Sequence, residues 1–499
     1  MAKEILSSFD RNARRGGAQL MAQVALASLL VITLPSLGRA EAPTGGSSAP
    51  QATSAGQNAS VPAPHPSSDQ TQSGPASVTA VDCNRPMPPG KPAAVTSPVR
   101  PEAKPVKKMA SRHGAAARGE EDLKGGNAIS DDPAPSVTAE AATCTTAAAQ
   151  RYATIAEKGG WPTLSETLKR GQAPPQNLAT LRHRLAVEGD LPQMDDAAGQ
   201  APWDAALTAG LKHYQSRMGL RQTGILDETT LAALNIPASE RAKELDASAH
   251  RLSILQNFPF DQRYVVVNIP AAAVEEVEGG RVVHRYAAVV GGTDHQSPQV
   301  QAKITDIIVN PTWTLPISII KNEVIPKMAK DPRYLSRMNI RMLDARGREV
   351  NPRGIDWSSN EATEFTFRQD AGRKNSLGTL KINMPNQQSV YMHDTPAKSF
   401  FARDYRFLSH GCVRVDGIYD LAAWLLEGAP GPEGEGWNVA AIKKVVGEEE
   451  KKTVKLKQNM PVVWIYLDGW AGSDGAVHFR DDIYALDQEQ ASTPVSQAK

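Results

Sequence analysis

Between Pro43 and Gln150 the chain runs for 108 residues without one Phe, Trp or Tyr, and this stretch holds 15 of the 36 prolines. Elsewhere aromatic side chains are plentiful, yet of the 27 in the chain only Phe9 precedes Tyr152. A segment of this kind cannot bury enough apolar area to offset the entropy of ordering its backbone. Residues 43–147 are therefore expected to be a disordered Pro/Ala/Ser-rich linker, and 488–499 a disordered tail. The folding part begins near residue 148, with length enough for two or three packed units.

What precedes the linker reads as an export signal. Residues 1–42 carry Lys3, Arg11, Arg14 and Arg15, then the apolar run Leu20 to Leu34, then Pro35 and small residues ending Ala40-Glu41-Ala42. A basic region, an apolar core and an A-x-A-like cleavage site stand in the order of a signal peptide. The run is shorter than the ~20 residues of a spanning helix, so an uncleaved membrane anchor is the secondary reading. The expected location is periplasmic. The whole chain has a net charge of +1, which excludes nucleic-acid binding through a strong basic field. Split by segment, the signal region nets +2, the linker zero and the folded part about −1. Three cysteines exclude a disulfide-stapled scaffold. Cys83 and Cys144 fall in the linker, where an oxidising compartment permits pairing without requiring it. Cys412 is alone in the folded region.

From Ala148 the pattern turns helical, with a helical scaffold segment expected over 148–200. Leu207, Leu211, Tyr214 and Met218 then fall at spacings of 4, 3 and 4, one face of a helix. Gly219 is a C-cap candidate, and Asp227 can N-cap a short helix through Leu234. Tyr214-Gln215, Gly219-Leu220, Thr223-Gly224 and Thr230 to Asn235 resemble the core of the small three-helix peptidoglycan-binding domain, assigned here to 201–250. A helical hairpin that merely packs is the competing reading. From Tyr264 the period becomes that of strands, at Tyr264–Ile269, Val282–Val290, Ile304–Val309, Ser389–His393 and Val413–Val415. The fold class expected is α+β and multidomain, a small helical domain beside a β-rich sandwich or barrel over 251–487. The charged, helical stretch at about 317–373 breaks the strand pattern and reads as an inserted lid subdomain.

Chemistry concentrates in one window, SVYMHDTPAKSFFARDYRFLSHGCVRV. His393 ends a predicted strand 19 positions before Cys412, and Ser409-His410-Gly411-Cys412 opens the next. A thiol needs a neighbouring base to become a thiolate at neutral pH, and imidazole is suited to supply it. Gly411 lets the backbone approach a substrate carbonyl, with the Gly411 and Cys412 N–H groups then expected to face a developing oxyanion. Arg414, two positions along a strand, points to the same face as Cys412, where a guanidinium suits a substrate carboxylate or lowers the thiol pKa. Three other readings compete. A zinc site on Cys412, His410 and His393 lacks a further spaced ligand, so no metal and no cofactor are expected. A buried structural cysteine beside chance histidines would also give HGC. A papain-like peptidase places its Cys well before its His, the reverse of the order here.

This window resembles the signature of the L,D-transpeptidases, which pair an upstream His with Ser/Thr-His-Gly-Cys across such a gap. RKNSLGTLKINMPNQQSVYMHDTP is similar to the larger, lid-bearing periplasmic branch, with Asn375, Gly378, Lys381, Pro385-Asn386 and Tyr391 in place. GGW at 159–161, LRHRLAVEGDLP at 181–192 and NPTWTLP at 310–316 add to the likeness, as do VVWIYLDGW and GAVHFRDDIYALD, read as strands. The resemblance implies Cys412 as nucleophile and His393 as base, with Gly411, Cys412 and Tyr391 around the oxyanion. It implies His410 on the oxyanion side, and Arg414, Asp394 and Ser409 on the substrate side, the Asp394 carbonyl fixing the imidazole tautomer. It further implies acyl transfer between peptidoglycan stem tetrapeptides, with D-alanine released and 3→3 cross-links formed, in a carbapenem-sensitive monomer. Cell-wall synthesis proteins are conceivable partners. An L,D-carboxypeptidase, a wall-protein attachment enzyme and a non-catalytic wall-binding scaffold remain the alternatives.

Overall fold

The structure, a computed structural model, describes Cys83 and residues 128–168, 171, 173–193, 201–434 and 436–487. The expected signal peptide, the C-terminal tail and most of the expected linker lie outside the described residues.

Strand formation follows the β-branched runs. Strands β1 (Tyr264–Asn268), β2 (Ala273–Glu278), β3 (Arg281–Gly291) and β4 (Val300–Val309) open the β-rich part. After an insertion come β8 (Leu380–Asn383), β9 (Met392–His393), β10 (Phe407–Ser409), β11 (Val413–Val415) and β12 (Lys452–Ile465). Eight of these pair in the cyclic order β3-β11-β9-β8-β4-β12-β1-β2 and back to β3, so the sheet closes on itself, with β10 hydrogen-bonded alongside β3. Closure removes the exposed edges that an open sandwich would leave.

β1 and the last six residues of β12 are buried on both faces because alternate side chains enter different cores. Val265, Val267, Val462 and Trp464 point into the barrel interior with Ile304, Ile307, Leu380, Met392, Val413 and Val415. Tyr264, Val266, Val463 and Ile465 point outward, into a layer formed with Val137, Ala141, Leu252 and Leu255. The period of two along a strand requires this division. The barrel also packs the helices α6 (Ile418–Leu425) and α7 (Val439–Gly447) through Leu421, Leu425, Ile442 and Val445.

The helical part comprises α1 (Ala141–Glu157), α2 (Pro175–Val187), α3 (Ala205–Arg217), α4 (Glu228–Leu234) and α5 (Ala238–Ser253). Asp204 and Asp227 cap α3 and α4, accepting from the Leu207 and Thr230 N–H groups at 2.7 and 2.9 Å. Gln215 is fully buried, and its amide bonds Thr223, Ile225, Thr230 and the Gly224 N–H. That satisfied hub explains why a polar residue follows Tyr214 in an otherwise apolar core. The hairpin of β13 (Gly469–Ala471) and β14 (Val477–Phe479) belongs to this helical core, since Ala471, Val477 and Phe479 pack with Tyr152, Leu211 and Tyr214. Buried Arg217 ties the two together: its guanidinium holds Asp190 and donates to the Val477 carbonyl. Among the described residues no helix is long and apolar enough to cross a membrane.

One expectation needs correction, and one reading left open is settled. The linker was expected to run to 147 without order, but α1 starts at Ala141, and residues 128–136 form a strap against the barrel. Val282 N–H donates to the Pro133 carbonyl at 2.9 Å, Arg285 donates to the carbonyls of Ser130, Asp132 and Ala134, and Ser136 bonds Glu275. The ordering energy comes from β2 and β3, far along the chain, so local composition carries no sign of it. Cys83 and Cys144 are disulfide-bonded, with Cys144 buried in the helical core.

The segment at 313–369 has a core of its own, with β5 (Trp313–Thr314), β6 (Ile340–Leu343) and β7 (Thr366–Gln369) ordered β5-β7-β6. Ile320, Val324, Met328, Leu335 and Phe367 fill it. Its ends meet where Asn375 donates to the Pro311 carbonyl at 2.9 Å.

Replacing Arg217 by Met would leave Asp190, whose side chain is 0% exposed, with His213 as its remaining ionic partner. We expect a loss of about 3 kcal/mol in chemical denaturation. Pairing it with Asp190→Leu should restore most of that loss, because the uncompensated charge is then gone.

Candidate functional site

Two short strands place the chemistry. β9 and β11 pair in parallel, with Val413 opposite Met392 and Arg414 opposite His393. Met392, Val413 and Val415 point into the barrel core. The alternate positions Tyr391, His393, Cys412 and Arg414 therefore form a two-by-two array on the outer face. β8 extends the row, since Lys381 stands opposite His393.

The imidazole of His393 is buried, and its Nδ1 meets the backbone carbonyl of Asp394. A carbonyl only accepts, so Nδ1 carries the proton and Nε2 keeps its lone pair. Burial chiefly, with the positive charges of Arg414 and Lys381 added, holds the His393 pKa down to about 3. Cys412 is partly exposed. Burial raises its pKa, while hydrogen bonds from the Tyr391 N–H and hydroxyl and the charges of Lys381 and Arg414 work the other way. The resting pair is thus a neutral thiol beside a neutral imidazole. Trp313, at the root of the inserted segment, hydrogen-bonds the Tyr391 hydroxyl.

The turn that presents Cys412 is braced from three sides. Gly411 sits at φ +104°, a conformation side chains seldom adopt. Its carbonyl accepts from Ser297 Oγ at 2.7 Å, and the same oxygen accepts from the Gly291 N–H at 2.9 Å. Tyr484 bonds both the Ser297 N–H and the Gly291 carbonyl. Ser297 and Tyr484 thus position the turn, and sequence reasoning missed both. They lie 114 and 73 positions from Gly411 with no local signal; the YALD likeness at the tail was the one available pointer.

Several expected site residues have different surroundings from those expected. The Gly411 N–H is taken by Ser409 Oγ at 3.2 Å, so it does not face an oxyanion, whereas the Cys412 N–H meets no acceptor among the described residues. Ser409 is buried, and its hydroxyl donates to the Cys412 carbonyl, closing the turn from inside. The Asp394 carboxylate does not reach outward either. It accepts from the Thr379 N–H and hydroxyl, both at 2.9 Å, and from Lys398. Gly378, at φ +60°, gives it room, since a Cβ there would lie 2.4 Å from its Oδ2. The side chains of Ser409 and Asp394 are both bonded to neighbours, which they hold in place. His410 faces the inserted segment, with Nε2 3.1 Å from Glu323 Oε1 and its ring packed against His295. Glu323 lies in the π-helical turn Ile320–Val324, a distortion that often marks functional segments. Its pKa is held down to about 2, first by the His410 hydrogen bond.

Two outcomes follow from this geometry. The folded His393 pKa lies below the ordinary value of 6.5. Its contribution to stability is therefore complete above pH 6.5 and is lost as pH falls toward 3, where the unfolded chain takes up a proton that the folded one refuses. We expect the melting temperature of His393→Gln to depend less steeply on pH across that window than that of the parent. The difference amounts to at most about 4 kcal/mol at its acid end. Ser297→Ala, which orphans the Gly411 carbonyl and the Gly291 N–H, should cost about 1–3 kcal/mol in denaturant melts.

Parts of the chain are similar to known proteins. The family described as "YkuD: L,D-transpeptidase catalytic domain" matches residues 262–432, and "Putative peptidoglycan binding domain" matches 175–234. The second match starts earlier than the 201 expected and takes in α2. A curated protein of Haemophilus influenzae, "Putative L,D-transpeptidase", is 32% identical over 258 residues, covering 51% of this chain and 50% of the relative. The chain thus spans about half the length of that relative. Among solved structures, an L,D-transpeptidase from Mycobacterium smegmatis is 15% identical with a TM-score of 0.20, covering 41% of this chain and 58% of its own. One from Xylanimonas cellulosilytica is 16% identical with a TM-score of 0.18, covering 61% and 99%. Superposition at that level does not bear on the fold. The family likeness rests on two stretches: residues 262–432 are similar to the L,D-transpeptidase catalytic domain, and residues 175–234 to a peptidoglycan-binding domain.

Proposed function

We propose that the protein is an exported peptidoglycan L,D-transpeptidase that forms 3→3 cross-links through a thioester on Cys412. The observation that carries this reading is the array of Cys412, Tyr391 and neutral His393, with the His393 Nε2 lone pair left available by the bond from Nδ1 to the Asp394 carbonyl. His393 takes the thiol proton as Sγ attacks the carbonyl of the diamino acid at the third stem position. The developing oxyanion meets the Cys412 N–H and the Tyr391 hydroxyl. Collapse breaks the amide bond, and His393 returns the proton to the departing amine of D-alanine. In the second half-reaction the side-chain amine of another stem attacks the thioester, loses its proton to His393 and regenerates the thiol. Splitting one exchange into two lowers each barrier.

The inserted segment acts as a lid in this reading, touching the site at Glu323–His410 and Trp313–Tyr391. Water exclusion there matters because hydrolysis competes with aminolysis. The α3–α4 unit would hold the enzyme on the wall, and residues 1–42 would direct its export.

A defined tetrapeptide, analysed by mass spectrometry, tests the reaction. We expect a cross-linked dimer and free D-alanine from the parent, and no product above background from a folded Cys412→Ala. Cross-linking by that variant would sink the assignment. Tripeptide in place of dimer would make the protein an L,D-carboxypeptidase. A carbapenem should add its mass to the parent protein and not to Cys412→Ala.

A further inference from the structure

Two cations on the outer face of the barrel stand outside any ion pair of the described residues. Lys381 on β8 and Arg414 on β11 stand in register on either side of His393. With neighbouring strands about 4.8 Å apart, their Cα atoms are separated by about 10 Å. Neither side chain forms an ion pair among the described residues. The acids nearest to them are already engaged. Asp306 accepts from Thr305 and Asn383, and Glu323 holds His410 and Lys327. Arg414 Nε is buried without a hydrogen-bond partner, and its guanidinium lies 5.9 Å from the Phe400 ring centre.

A lysine serving only to cover apolar surface lays its methylenes on a ring and sends the ammonium into water. Here the ammonium itself lies over the ring, with Nζ 3.9 Å from the Tyr391 centroid, and Tyr391 hydrogen-bonds the Cys412 sulfur. Half-burying two like charges around a thiol and an imidazole is costly unless an anion completes the site. Burial pulls both cations below their ordinary pKa values, as expected of cations awaiting a counter-charge.

We propose that Lys381 and Arg414 form an anion-binding pair straddling His393. The pair takes the free carboxylate of the donor residue whose carbonyl Cys412 attacks, and Lys381 makes the site prefer that acid to its amide. This rests on the transpeptidase reading for the identity of the donor; the cation pair itself does not. A bound carboxylate also offsets the two positive charges that suppress His393, so the base strengthens when the correct donor arrives.

The test is the ratio of alkylation rates of Cys412 by iodoacetate and by iodoacetamide. Both reagents form the same S–C bond and expel iodide from the same thiolate, so their ratio cancels any change in thiol ionisation. Cys83 and Cys144 are bonded to each other, which leaves Cys412 as the free thiol. Lys381→Met should lower the iodoacetate-to-iodoacetamide ratio about fivefold to tenfold, and Lys381→Arg should preserve it. The same Met variant should raise KM for a tetrapeptide with a free carboxylate on the diamino acid, and leave KM for the amidated donor unchanged. An unchanged ratio in a Lys381→Met protein with the parental melting temperature overturns the proposal. A lowered ratio in a protein that does not turn over the tetrapeptide supports the cation pair and removes the transpeptidase reading.

Discussion

The site depends on the parallel pairing of β9 with β11. Base and thiol are 19 positions apart in sequence, and the register that sets Arg414 against His393 is what brings them onto one face. A shift of one residue in either strand would turn its functional side chains into the barrel core and bring Met392 or Val413 to the surface. Burial of Met392, Val413 and Val415 therefore does more than stabilise the barrel; it selects the register in which the chemistry can occur. Parallel neighbours need a crossover, and the excursion from Asp394 to Gly411 supplies it, with β10 docking alongside β3 on the way.

Closure of the sheet gives these short strands a rigid frame. β9 has two residues and β11 three, too few to hold a position by their own ladders. They are fixed because β8 and β3 flank them within the ring, and because the turn between Ser409 and Cys412 is clamped from Ser297 and Tyr484. Tyr484 stacks on Tyr466, whose hydroxyl reaches Asp482. The last described segment of the chain thus supports the turn that carries Cys412. That same C-terminal region sends β13 and β14 into the helical core, so wall-binding-type and catalytic parts share a foundation rather than being joined only by a tether.

Electrostatically the site is arranged to rest in a neutral state. Burial and two flanking cations oppose protonation of His393, and burial opposes ionisation of Cys412. An arrangement of that kind keeps the thiolate fraction low and makes it sensitive to local charge. The inserted segment enters this balance through Glu323, whose carboxylate is shared by His410 and Lys327.

Much of this was legible in the residues. The helical face at Leu207 to Met218, the cap at Asp227, the β-branched strands and the HGC window all act through neighbours within a few positions, and such signals survive in the linear order. The aromatic-free stretch led to an expectation about energetics, that its own side chains cannot build a core. What it could not say is that Glu275 and Arg285, over a hundred positions away, would order residues 128–136 as a strap. The same limit hid Ser297 and Tyr484, and it made the side chains of Ser409 and Asp394 look available when tertiary neighbours had already claimed them. Sequence by itself determined which chemical groups the protein owns and which segments could be helix or strand, because those depend on covalent identity and local periodicity. Tertiary structure alone decided which donors and acceptors remain unspent, because that depends on partners brought together by ring closure.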